Sequence, residues 1–157
     1  VAHYFAGPAE ARLLLSNTGG YGLLARAGDL LGRNKGGKAF LTLDAAERLL
    51  PPAVVDPAHG QVGCLALDGR LLVFALNELK LQPGGGRGLT LMDVDAKAPL
   101  LSAVSFAQAL RVLGSGRGGR AKEEDLKAAL LKIHVGKRAR KGRAVEGLQK
   151  VLRLLPI

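Results

Sequence analysis

The chain has 157 residues, 48% of them hydrophobic, with a net charge of +10 and a pI near 10.3. This length fits one domain with a real core, and the apolar content excludes general disorder. The longest apolar runs are far shorter than a membrane span, and the single Cys64 excludes an internal disulfide. Because the chain opens at Val1 without a charged signal region, we expect a fragment or trimmed piece rather than a secreted precursor.

The positive charge is concentrated at one end. Residues 1–110 hold 10 Lys/Arg against 9 Asp/Glu, whereas residues 111–157 hold 13 against 4. A basic end on an otherwise balanced chain is typical of a protein that binds a polyanion. Aromatic residues are scarce, so the stacking platforms of single-strand binders are not expected and the backbone of a duplex is the better fit.

The first unit begins with two short apolar runs, 13–15 and 21–27, around a turn-rich stretch at 16–20. This pattern predicts a β-hairpin. A glycine-rich basic loop follows at 32–38, and residues 39–43 are a predicted third strand.

The same order returns in a second unit. Residues 62–67 and 70–76 predict a hairpin around Asp68-Gly69, a dipeptide that favours a two-residue turn with positive φ at both positions. A glycine-rich loop at 84–88 and a strand at 89–91 follow. The hairpin is apolar at nearly every position, which predicts that both of its faces are covered, as in packed propeller blades.

A third unit is weaker: a strand at 110–113, a turn at 114–119, an acidic-leucine element at 123–126 and a basic loop at 137–143. We align this unit with the first two by the distance from a turn glycine to a leucine. Ten residues separate Gly20 from Leu30, Gly69 from Leu79, and Gly116 from Leu126. A period of 47 to 49 residues between these leucines indicates a propeller-like or solenoid repeat.

One segment allows two interpretations. The spacing of Leu126, Leu130 and Leu131, and of apolar residues between 144 and 155, is helical. Residues 121–155 could therefore form two basic amphipathic helices, as in a helix-turn-helix, although Gly147 weighs mildly against the second helix. The local pattern leaves strand or helix undecided.

The chain also resembles a known family. Residues 20–22, Asp29-Leu30 and 33–39 are similar to one blade of the C-terminal domain of bacterial type IIA topoisomerase A subunits. Residues 51–52, 62–79 and 145–151 resemble the topoisomerase IV member of this family more than the gyrase member. The gyrase member carries a box, Gln-Arg-Arg-Gly-Gly-Lys-Gly, that is used in wrapping DNA. Its nearest match here is 32–38, with Gly32 in place of Gln, Asn34-Lys35 inserted around the arginine register, and Ala39 in place of the last Gly. This departure speaks against chiral wrapping of DNA.

The resemblance implies an all-β fold, the β-pinwheel, whose propeller-like blades exchange strands. It implies one C-terminal DNA-binding domain over residues 1–157, forming a partial ring of about three blades near 1–43, 44–94 and 95–157. It also implies strand at 144–155, with room for a short helix near 121–131.

The resemblance further implies a non-catalytic part of an ATP-dependent type II topoisomerase, which positions DNA for decatenation and relaxation. The implied partners are double-stranded DNA, the rest of the topoisomerase IV polypeptide to which such a domain belongs, and the separate ATPase subunit of that enzyme. No cofactor is expected in this domain, the catalytic Tyr lies outside this chain, and the location is cytoplasmic and nucleoid-associated.

The candidate contacts are cations of the three loops, where glycines let the backbone approach a phosphate and Lys or Arg neutralise it. Lys38, Arg87 and Arg143 hold equivalent places after a loop glycine and are the first choice. The full predicted DNA-binding set is Arg33, Lys35, Lys38, Arg87, Lys137, Arg138, Arg140, Lys141 and Arg143.

Catalysis and metal binding find no support in the sequence. The three histidines are far apart, without Cys or carboxylate at ligand spacing. In the resembled family the strand-cleaving Tyr follows an Arg, and neither Tyr4 nor Tyr21 has that neighbour. Two other functions remain open. One is a propeller-type module docking an acidic protein partner, and the other is peripheral attachment to anionic lipid at the inner membrane face through residues 137–155.

Overall fold

The structure is a computed structural model, and it describes residues 12–26, 48, 50, 53–56, 58–79, 89–95, 97–145 and 147–157. The strands of this part are β1 (Arg12–Ser16), β2 (Tyr21–Arg26), β3 (Ala53–Val55), β4 (Gln61–Ala66), β5 (Arg70–Ala75), β6 (Leu89–Thr90), β7 (Leu100–Phe106), β8 (Leu110–Ser115), β9 (Ala121–Leu126), β10 (Arg143–Ala144) and β11 (Lys150–Pro156). Its helical elements are α1 (Ala128–Leu131) and short 3-10 helices at Leu76–Glu78, Arg117–Gly119 and Lys132–His134. Among the described helices, none has the length and apolarity needed to cross a bilayer.

Three antiparallel hairpins, β1–β2, β4–β5 and β8–β9, share one kind of turn. In each, a glycine with positive φ lies before the second strand, and its N–H donates to the carbonyl three residues earlier. The bonds run from Gly20 to Asn17 at 3.1 Å, from Gly69 to Ala66 at 3.0 Å and from Gly119 to Gly116 at 3.1 Å. Glycine suits this position because L-residues with a side chain rarely adopt positive φ.

Two details of the predicted turns are wrong. Of Asp68 and Gly69, only the glycine has positive φ (90°), and the loop has three residues, 67–69, rather than two. The Asp68 carboxylate instead accepts the N–H of Arg70 at 3.2 Å. In the third hairpin the equivalent glycine is Gly119, not Gly116, so the ten-residue spacing to Leu126 that set the register of this unit does not start from the turn glycine.

The strands form three sheets, with the orders β3-β1-β2-β6, β10-β5-β4-β7 and β11-β8-β9. The exchange of strands between units that the resemblance implied is confirmed. β6 follows the second hairpin in the chain but pairs with β2 of the first sheet. In the same way, β10 follows the third hairpin but pairs with β5 of the second sheet. The division into blades near residues 43 and 94 stays a prediction.

The second hairpin is covered on both faces, as its continuous apolar sequence predicted. Cys64, Leu72 and Phe74 belong to a buried cluster shared with the first sheet. Leu71 and Val73, on the opposite face, belong to a second cluster shared with the third sheet. Side chains of a strand alternate between faces, so this one hairpin fills both cores.

The three sheets approach one another at the edges formed by β3, β7 and β11. Residues of these three strands line a common groove of about 360 Å³, which includes Val54, Ala103 and Leu154. β6 and β10 lie at the opposite edges of their sheets. We call the side of the molecule formed by these two edges, β6 of the first sheet and β10 of the second, the outer edge.

Residues 121–155 are mainly strand and loop, so the helix-turn-helix interpretation is wrong. β9 and β11 both pair with β8, which supplies hydrogen bonds that a local helical pattern does not reveal. The one α-helix described there, α1, has four residues. Val151 and Leu154 are buried in β11, whereas Leu152, which the helical pattern placed inside, is 57% exposed.

Candidate nucleic-acid interface

The basic segment, residues 137–143, is the longest described part of the predicted interface. It contains five cations and no acidic residue. It leads into β10 and therefore lies along the outer edge of the second sheet. Its five cations, Lys137, Arg138, Arg140, Lys141 and Arg143, are thus brought together on one continuous stretch of backbone.

Backbone hydrogen bonds hold this segment at both ends. Before it, the N–H of Gly136 donates to the Val73 carbonyl of β5 at 2.8 Å, and after it the N–H of Val145 donates to the Gly69 carbonyl at 2.9 Å. In its middle, the N–H of Ala139 donates to the Leu91 carbonyl at 3.0 Å. The segment therefore spans from the second sheet to the end of β6 in the first sheet, and its shape is fixed without any ligand.

Arg138 lies on the inner side of the basic segment. Its Nη1 donates to the Thr90 carbonyl at 2.7 Å, and its backbone N–H donates to the Glu78 carboxylate at 3.1 Å. Its Nε is buried without a hydrogen-bond partner in the described part of the chain. The guanidinium is thus partly occupied by the protein, and as a DNA contact Arg138 stays a prediction.

The conformation of the segment depends on two residues with positive φ. Ala139 (φ 70°) is the only non-glycine with positive φ in the described part of the chain, and Gly142 has φ 77°. A Cβ at Gly142 would lie 2.5 Å from the carbonyl oxygen of Leu71. Glycine is therefore required at 142 by conformation and by close approach to β5.

The other cations of the segment face solvent. Lys137, Arg140, Lys141 and Arg143 are all exposed, and none forms an ion pair with a carboxylate of the described residues. By contrast, Arg111 is held by Asp125 at 2.8 Å on β9. Exposed, unpaired cations on a fixed backbone can neutralise phosphates without first breaking a salt bridge.

His134 lies beneath the start of the segment and is 3% exposed. Its Nδ1–H donates to the carbonyl of Leu71 at 3.3 Å, close to the site where Arg143 pairs with the same residue. Burial lowers the pKa of His134, so the imidazole is neutral at neutral pH. It is a packing residue below the interface and adds no charge to it.

Four of the predicted contacts, Arg33, Lys35, Lys38 and Arg87, lie outside the described residues. The structure adds two residues that sequence reasoning missed, Glu78 and Thr90, which anchor Arg138. The sequence around Glu78 does not indicate that its carboxylate holds Arg138, because the two residues are 60 positions apart.

No family model matches the chain. Comparison with curated sequences gives relatives that all carry the same protein name. The chain is 36% identical over 137 residues to the A subunit of DNA topoisomerase 4 from Neisseria gonorrhoeae, a match that covers 83% of this chain. It is 31% identical over 151 residues to the protein of the same name from Escherichia coli (strain K12), over 96% of this chain. In both cases the chain spans about a fifth of the relative's length, 18%.

Comparison with solved structures gives the fold. The E. coli ParC C-terminal domain superposes with a TM-score of 0.80 at 24% identity, over 95% of this chain and 61% of that one. A DNA gyrase A C-terminal domain gives a TM-score of 0.72 at 17% identity, over 96% of this chain and 50% of that one. The C-terminal domain of a DNA topoisomerase IV gives 0.70 at 13% identity, over 93% and 46%.

The exchanged strands and these superpositions define the class: the chain is a β-pinwheel domain of the type found at the C-terminus of type IIA topoisomerase A subunits, with open rather than closed sheets. Within that class, the sequence matches show that it is a homologue of part of the DNA topoisomerase 4 A subunit.

Proposed function

We propose that this domain binds duplex DNA without sequence preference, through phosphate contacts along its outer edge. The observation that carries the proposal is the basic segment, which presents four exposed cations that form no ion pair within the described part of the chain, on a backbone already fixed by the fold. The relatives' names, which are those of DNA topoisomerase subunits, support it.

The chemistry of the segment favours the DNA backbone over the bases. Lys and Arg on a loop neutralise phosphates and release counterions, a contribution that does not depend on sequence. No described helix is long enough to lie along a major groove, since α1 has four residues, so base-edge recognition by a helix has no support in the described part.

We further propose that the domain acts within topoisomerase IV, as a non-catalytic part of its A subunit that works with the separate ATPase subunit. There it positions a DNA segment for ATP-dependent strand passage in decatenation and relaxation of chromosomal DNA. The departure of residues 32–38 from the gyrase box supports a role in guiding DNA rather than wrapping it. We propose a cytoplasmic, nucleoid-associated location on the same basis.

Charge reversal within the basic segment tests the proposal. Lys141→Glu and Arg143→Glu should each weaken binding to several unrelated duplexes by a similar factor, because a phosphate contact is lost whatever the sequence. Fluorescence anisotropy with labelled duplexes of different base composition measures this. Lys38→Glu tests the first loop in the same way.

Arg153→Glu is the matched control, since Arg153 is an exposed cation of β11 beside the groove at the opposite edge of the sheets. It changes the net charge by the same amount and should weaken binding much less. Equal losses for Arg153→Glu and Arg143→Glu would mean that net charge, and not the outer edge, carries DNA binding. A loss confined to one duplex would contradict sequence independence.

A further inference from the structure

The turn of the third hairpin differs in charge from the turns of the other two. Residues 117–120 read Arg-Gly-Gly-Arg and contain two cations and no carboxylate. The turn of the first hairpin, 17–20, has no charged residue, and that of the second, 67–69, has one acidic residue, Asp68. Arg70, which follows the second turn, is held by the Asp68 carboxylate at 2.7 Å. We call residues 117–120 the arginine turn.

The arginine turn projects into solvent. All four of its residues are exposed. Gly118 and Gly119 have φ of 76° and 77°, and a Cβ added to either would meet no atom within 4 Å. Their glycine character therefore serves the conformation of the turn and not a close approach to another part of the protein. The backbone between the two arginines is open to a ligand.

The two arginines are not used by the protein itself. The guanidinium groups of Arg117 and Arg120 form no hydrogen bond and no ion pair within the described part of the chain. Other cations of the same sheet are occupied: Arg111 is held by Asp125 at 2.8 Å, and Lys122 lies 3.3 Å from a carboxylate of β9. A free guanidinium offers a planar fork of N–H donors that matches the geometry of a phosphate.

The chain leads directly from the basic segment to the arginine turn. Four residues after Arg143, the carbonyl of Gly147 accepts a hydrogen bond from the Nζ of Lys122 at 2.8 Å. The N–H of Gln149 then donates to the carbonyl of Ser115 at 2.9 Å, just before the turn. Because four residues span at most about 14 Å, the end of the basic segment and the arginine turn lie within about one helical turn of a duplex, ~34 Å.

We propose that the arginine turn is a second phosphate-binding site, which contacts the same DNA duplex as the basic segment. This inference rests on the proposed function, because it takes duplex DNA as the ligand. Arg117 and Arg120 each contact a phosphate oxygen, and the two glycines between them let the DNA backbone approach closely. The site adds a contact from the third sheet to those along the outer edge. The charge of the first and second turns gives them no such role.

Neutralising both arginines tests the site. The double variant Arg117→Gln/Arg120→Gln should bind a duplex more weakly than the parent chain does. It should also reduce the magnitude of the salt slope by about 2, because each lost phosphate contact releases about one counterion fewer. Anisotropy titrations of the 157-residue chain against one labelled duplex at several salt concentrations measure both effects. Arg117→Lys/Arg120→Lys keeps the charge and should largely retain the slope.

The matched control removes the same charge elsewhere on the third sheet. Lys127 is an exposed cation at the opposite end of the third hairpin, and Arg153 is an exposed cation of β11 beside the groove. The double variant Lys127→Gln/Arg153→Gln should leave the salt slope nearly unchanged. Equal reductions in the two glutamine variants would mean that net charge is responsible, and would overturn the proposal.

The outcomes also separate this inference from the proposed function. If substitutions in the basic segment reduce the slope but Arg117→Gln/Arg120→Gln keeps the slope of the parent chain, the arginine turn is not a DNA contact and the proposed function stands. If the parent chain shows no salt-dependent binding of duplex, both fail. Unchanged duplex binding together with lost binding of polyglutamate would assign the turn to an acidic protein and overturn the proposal.

Discussion

Gly142 shows how a single residue fixes the shape of the basic segment. Its φ of 77° is costly for any residue with a side chain, and its Cα lies against the backbone of Leu71 in β5. The glycine therefore serves the close approach of the basic segment to the second sheet.

We expect Gly142→Ala to lower the free energy of unfolding by about 1–3 kcal/mol, because the added methyl group meets a backbone carbonyl that cannot move independently. Urea denaturation followed by circular dichroism measures this. Gly60→Ala is the matched control, since no atom lies within 4 Å of the added Cβ and Gly60 has no positive φ, and it should change stability little. A loss at Gly142 no greater than that at Gly60 would contradict the close approach.

The conformations and contacts of single residues were the hardest features to predict from the sequence. Asp68-Gly69 correctly indicated a hairpin, but the dipeptide does not determine the turn type, because a three-residue loop with one positive-φ glycine fits the same letters. The role of Glu78 could not be predicted, since its contact with Arg138 exists only after two units have exchanged strands.

At the scale of elements, the basic segment contains one cation that anchors it to the protein and others that, by our proposal, bind DNA. Arg138 ties the segment to Thr90 at the end of β6, whereas Lys137 beside it is exposed and forms no ion pair in the described part. The two residues are adjacent in sequence and similar in charge, so sequence alone assigned both to DNA.

The pair Arg138→Met and Lys137→Met separates these functions. Arg138→Met should destabilise the domain by about 1–2 kcal/mol, because a charge-assisted hydrogen bond is lost and the Thr90 carbonyl loses its donor. Lys137→Met should leave stability within about 0.5 kcal/mol, as expected for an exposed side chain, while weakening DNA binding. Thermal unfolding of both variants, with anisotropy titration against one duplex, provides the readouts. Equal stability of the two variants would argue against the anchoring role of Arg138.

The first two hairpins and β6 were predictable because hydrophobic runs and turn residues agree there, whereas the predicted strand at 39–43 lies outside the described residues. Residues 121–155 were not, because their leucines fit a helical spacing and the decisive hydrogen bonds come from β8. Gly114 allows this arrangement, since its missing side chain leaves room for the backbone of β11 at Lys150. The resemblance to a known family predicted strand there, where the local pattern was ambiguous.

At the scale of the whole molecule, the sheets and the charge are arranged together. β3, β7 and β11 converge on one groove, and the basic segment lies on the opposite, outer edge. Part of the excess positive charge in residues 111–157 therefore lies at the outer edge, because the basic segment of the third unit leads into β10, which pairs with the second sheet. Composition predicted a polyanion partner, but only the exchange of strands places the cations at an edge.

The dependence of duplex affinity on salt tests the central claim most directly. If about six phosphates are contacted, the logarithm of the binding constant should fall against the logarithm of salt concentration with a slope of roughly −5. Neutralising the four exposed cations of the basic segment together should reduce the magnitude of that slope by about 3 to 4. A slope near zero for the parent chain, or an unchanged slope for the neutralised variant, would contradict the account.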